Sequence, residues 1–160
     1  MRKITQIQSA IALISGIALL VPVVSIAVVD SGGVSMRRLL DRIAKGELRP
    51  QGFQRPVEPR YGVLKPRAIV ELPFRISRGS GYGFVAVGDD NANDVDLQLL
   101  DNRNNVIIQD TDADDSAVVT FTPRRAGEYR VRVIMHGCQA DECEYGLAVY
   151  KGSRDLKRRQ

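Results

Sequence analysis

Hydrophobic and polar residues alternate along most of the second half of the chain. Val95, Leu97 and Leu99 are interleaved with Asp96 and Gln98, and Tyr129, Val131, Val133 and Met135 with Arg130, Arg132 and Ile134. Tyr145, Leu147 and Val149 repeat the period near the end. A period of two puts alternate side chains on opposite faces, one buried and one mostly wet. The pattern predicts strands at residues 68–76, 82–87, 95–100, 106–109, 117–122, 128–135 and 144–150. Turn-forming clusters separate them, among them Arg78-Gly79-Ser80-Gly81, Asn102-Arg103-Asn104-Asn105 and Pro123-Arg124-Arg125-Ala126-Gly127. About seven short strands at this spacing predict an all-β, antiparallel sandwich. In residues 35–45 the period is helical, with Met36, Leu39, Leu40 and Ile43 on one face. Ser35 suits the N-cap and Gly46 the stop. Residues 47–66 hold Pro50, Pro56, Pro59 and Pro66, a density expected of a linker or extended arm.

The N-terminus changes the compartment. Arg2 and Lys3 precede an uncharged apolar run, residues 10–29, which ends in Ser25-Ile26-Ala27, small residues at signal-peptidase spacing. The expected organisation is a signal peptide at 1–27, a helix and Pro-rich linker at 28–66, the sandwich at 67–151 and a basic tail at 152–160. The run is also long enough for an uncleaved membrane anchor. Either way the domain lies outside the cytoplasm, periplasmic or secreted if cleaved and facing the periplasm from the inner membrane if anchored. The membrane then matters only through that segment.

Charge is unevenly spread over the 160 residues, whose net formal charge is +4. Residues 36–78 balance to +7, residues 89–116 to −8 and residues 117–160 to +4. An acidic block inside the folded part argues against nucleic acid as a partner, since nucleic-acid binders carry one continuous basic face. Aromatics are 6% and Trp is absent, which leaves few planes for stacking on bases or sugars.

Four ordered segments resemble the bacterial pre-peptidase C-terminal domain over residues 67–151. They are Asp94-Val95-Asp96-Leu97-Gln98-Leu99-Leu100-Asp101, then Val119-Thr120-Phe121-Thr122-Pro123, then Ala126-Gly127-Glu128-Tyr129-Arg130-Val131-Arg132-Val133, then Tyr145-Gly146-Leu147-Ala148-Val149. The resemblance implies a jelly-roll-like β-sandwich that is not itself catalytic, accompanies secreted peptidases, and in some members binds calcium or helps bind substrate. With no peptidase expected ahead of the domain, the expected role is an exported accessory module for an unidentified protein or polymer partner; the alternative, if the N-terminal segment stays in the membrane, is a tethered structural protein of the cell envelope.

Catalytic signatures are missing from the sequence. His136 is the single histidine, and there is no G-x-S-x-G, H-E-x-x-H or phosphate-cradling loop before a helix. Two acidic stretches repeat oxygen donors at i, i+2, i+4: Asp89, Asn91 and Asn93 followed by Asp94, and Asp110, Asp112 and Asp114 followed by Asp115. That spacing suits calcium, and equally suits plain turns. Cys138 and Cys143 are the only cysteines and, outside the cytoplasm, are expected to form a disulfide. A metal site from His136, Cys138, Cys143 and Asp141 is the competing arrangement. If each strand crosses its sheet, successive connections alternate between two ends, which gathers the acidic loops and the cysteine pair at one end and Arg78, Arg103, Arg124 and Arg125 at the other.

Overall fold

In the computed structural model, residues 31–54 and 59–152 are described, with side chains from Ser35 onward. The expected signal peptide or anchor and all of the basic tail beyond Gly152 lie outside the described residues. Helix α1 spans Ser31–Glu47 and leads through a single 3-10 turn, Arg49–Gln51, into the strands. The seven expected strands form with small shifts at their ends: β3 Ile69–Ile76, β4 Tyr82–Gly88, β5 Ala92–Leu100, β6 Val106–Asp110, β7 Ser116–Phe121, β8 Gly127–Cys138 and β9 Cys143–Gly152. Two more, β1 Phe53–Gln54 and β2 Arg60–Leu64, lie in the stretch expected as a linker.

That stretch therefore belongs to the sandwich. Both β1 and β2 pair antiparallel with β9, Phe53 opposite Gly152 and Arg60 opposite Leu147, as one interrupted edge strand. Prolines exclude a central strand but not an edge, where the outer N–H groups have no ladder to serve. Five residues between Pro59 and Pro66 suffice. One sheet runs β1/β2-β9-β4-β7 and the other β3-β8-β5-β6, every pairing antiparallel. With β1 and β2 counted as one, these are the eight strands of a double-sheet jelly roll.

The core follows the alternation. Val95, Leu97, Leu99, Val131, Val133, Met135 and Leu147 are buried between the sheets with Phe84 and Val119. Tyr129 packs at the rim, half-buried against Phe121, ring centroids 5.5 Å apart. The outer face of β3-β8-β5-β6 is polar: Arg132 donates to Glu71 at 2.9 and 2.7 Å and to Gln98 at 3.0 Å. The Arg132 guanidinium holds the Glu71 carboxyl below its usual range.

The other sheet is covered on both sides. Met36, Leu40, Ala44 and Leu48 pack on Val85, Val87, Ala148 and Tyr150, forming a second core between α1 and the outer face of β4 and β9. Each large side chain buried there contributes about 1.5–3 kcal/mol. The helix is longer than the spacing predicts: Ser35 lies within it and Gly46 does not stop it. Burial of Leu48 draws the chain through one further turn, closed by its N–H bond to the Ala44 carbonyl (3.0 Å). Gly52, at φ 82°, then turns the chain into β1.

Candidate functional site

The connections separate by charge as the alternation rule requires. Gly88 N–H donates to the Asp115 carbonyl (2.8 Å), Val95 N–H to the Asp114 carbonyl (2.8 Å) and Gln139 N–H to the Asn91 carbonyl (2.8 Å). These bonds tie the β4–β5, β6–β7 and β8–β9 connections into one acidic end. The Cys138–Cys143 disulfide closes the last of them, with Cα atoms 6.0 Å apart. Its sulfurs sit at the facing ends of β8 and β9 rather than within a loop. The pairing overturns the metal arrangement built on His136, Cys138, Cys143 and Asp141, because neither sulfur is a thiolate.

Each acidic residue singled out by spacing has a place at this end. Asp89 Oδ1 accepts from the N–H groups of Asn91 (3.0 Å) and Ala92 (3.1 Å), and its Oδ2 accepts from Glu144 N–H (2.9 Å). Asp110 Oδ1 accepts from Asp112 N–H (3.3 Å) and its Oδ2 from Val118 N–H (2.8 Å), covering a donor on the open edge of β7. Asp94 Oδ2 lies 3.2 Å from His136 Nδ1, while its Oδ1 is buried without a partner. Asn91, Asn93, Asp112 and Asp114 are exposed. Asp89 and Asp110 thus serve backbone donors, with carboxylate lone pairs left over. Among the described residues no three Asp, Glu, His or Cys side chains converge as a ligand set.

Two features escape the spacing. Asp96 is 8% exposed on the outer face of β5, and burial first, then the neighbouring Asp94 charge, pushes its carboxyl above the usual range. Alternation places it on a wet face and carries no sign of this. The other is a groove beside α1. A cleft of about 610 Å³ separates Arg38 and Arg42 from Asp89, Asp90 and Glu144. A second, about 580 Å³, shares Arg42 and runs along Ser116, Val118 and Thr120 toward Asp110 and Asp114. The helix was legible in the sequence, but the face of the sheet it would cover was not. The two clefts set Arg38 and Arg42 opposite carboxylates, with Met36, Leu39, Ile43 and Val118 among their lining.

No protein family matches the chain by sequence profile, and no curated protein matches it. Among solved structures it is similar to PliG, a periplasmic lysozyme inhibitor of g-type lysozyme from Aeromonas hydrophila, at 13% identity and TM-score 0.45, covering 59% of this chain and 84% of that one. It is also similar to a de novo designed double-stranded β-helix, at 10% identity and TM-score 0.33, covering 58% and 99% of the two chains. Both likenesses are distant.

Proposed function

We propose that this chain is exported and works outside the cytoplasm as a non-catalytic accessory module that binds a protein or polymer partner, as the pre-peptidase C-terminal resemblance implies. The observation that carries this reading is the tied acidic end. A disulfide and cross-loop hydrogen bonds hold three connections on a rigid jelly roll, beside a groove walled by α1. Binding residues concentrate on loops positioned by such scaffolds. A structural disulfide persists in oxidising compartments, which supports export. Among the described residues no helix is long and apolar enough to cross a membrane.

The test is fractionation followed by affinity capture. The full chain is expected in the envelope or medium with Cys138 and Cys143 joined by non-reducing peptide mapping. Immobilised, it is expected to retain a partner from envelope extract that excess free chain competes away and that Arg38→Glu/Arg42→Glu weakens. A cytoplasmic chain with both thiols free would defeat the reading.

A further inference from the structure

The end opposite the tied acidic loops carries a different signal. It is built from the β3–β4, β5–β6 and β7–β8 connections. Ile76 pairs with Gly127 and Tyr82 with Phe121, which sets the first beside the third. A cleft of about 380 Å³, lined by Arg103 and Arg125 together with Asp101 and Glu128, joins the second to the third. Arg78, Arg103, Arg124 and Arg125 are all exposed there, and none makes an ion pair among the described residues. Three other arginines of this sandwich do meet carboxylates: Arg75 with Glu128 at 2.8 Å, beside this end, and Arg130 and Arg132 with Glu71 at 3.3 and 2.7 Å. The carboxylates nearest the four are engaged, Glu128 by Arg75 and Asp101 by the Arg103 and Asn105 N–H groups and the Asn105 amide.

The loops that carry these arginines are held in place. Tyr82 Oη accepts from Ser77 N–H (2.9 Å), Tyr129 Oη donates to the Arg125 carbonyl (3.0 Å), and Asp101 pins its own turn. The guanidinium forks are therefore presented on fixed backbone, which lowers the ordering cost of engaging an anion. The chain also leaves β9 here, where Gly152 N–H donates to the Gly81 carbonyl (2.8 Å), and the eight residues that follow include Arg154, Lys157, Arg158 and Arg159.

We propose that this basic end docks a linear polyanion, a polymer with repeated phosphate or carboxylate groups. This rests on the reading of the chain as an exported binding module and names the chemistry of its partner. A bilayer fits less well. The three connections carry no large apolar side chain to enter one, and the first turns of α1 lie at the far end, where Ser35 and Met36 face Gly88 and Asp89. Charge does the binding, so affinity falls with salt by counterion release.

The experiment measures binding of the full chain to polyphosphate and to poly-L-glutamate across a salt series, with vesicles of anionic phospholipid in parallel. Binding to at least one polymer is expected, and the preferred one identifies the anionic group. Arg78→Gln/Arg103→Gln and Arg124→Gln/Arg125→Gln are each expected to weaken binding about tenfold or more at low salt. Each should lower the log–log salt slope by about two, one for every arginine that no longer neutralises an anionic group. Asp112→Ala/Asp114→Ala, at the other end, is expected not to weaken it. Binding that both arginine pairs leave unchanged, or that vanishes only when the chain is stopped after Gly152, overturns the proposal. So does vesicle binding with the same arginine dependence and none to either polymer. If the polymers fail while envelope extract still yields a competed partner, this inference falls and the module reading stands.

Discussion

Asp96 shows how one side chain can cost the fold stability. It is 8% exposed, accepts no hydrogen bond from the described residues, and has Asp94 beside it. Its carboxyl is raised, so the native state holds a proton more tightly than the unfolded chain does. That contribution is lost as pH climbs through the raised value and returns as pH falls toward the ordinary range. Asp96→Asn is expected to raise the thermal midpoint at pH 7, with the gain shrinking toward pH 4. A midpoint that fell at pH 7 would mean the charge is satisfied. Glu71 works in the opposite direction, its lowered carboxyl contributing at neutral pH and losing that contribution as acid protonates it. Asp89 is a third case. Because three backbone N–H groups depend on its oxygens, Asp89→Ala should cost about 1–3 kcal/mol, equally in chelator and in millimolar calcium. A cost confined to calcium would assign Asp89 to the cation.

At the scale of elements, α1 is the piece whose role the sequence only half discloses. Its apolar stripe was legible, but the expectation of a strand at residues 82–87 did not extend to the burial of both its faces. A strand buried on both faces needs a cover, and α1 supplies it. Leu40, fully buried at the centre of that contact, predicts that Leu40→Ala costs about 2–5 kcal/mol in chemical denaturation. Arg38→Ala, exposed on the same helix, should cost under about 0.5 kcal/mol. Equal costs would place the helix off the sheet. Strands β5 and β8 were readable because each has one wet face. Strand β2 was not, because its flanking prolines read as a linker, and only the open edge of β9 makes an edge strand of it.

Over the whole molecule, one rule read from the sequence survives intact: antiparallel strands that cross their sheets sort the connections between two ends. Aspartates and arginines alternate from one connection to the next along the chain, so the fold separates them in space and gives the domain an electrical polarity. What that polarity meets was not legible, because charge states the sign of a partner and not its shape. The groove beside α1 was hidden for a related reason, as it exists only where residues near 40 and residues near 90 and 115 come together.

The strand order also has a consequence in time. Strand β9 lies between β2 and β4, and β8 between β3 and β5, so the last two strands to be synthesised are interior strands of the two sheets. Until residues 127–152 are delivered, neither sheet can close and its earlier strands have no ladder across the gap. Pairings as remote as Arg60 with Leu147 make this a slow, non-local assembly. Apolar edges of the earlier strands therefore stay open until these last two strands arrive, one in each sheet, and only then can the sandwich close.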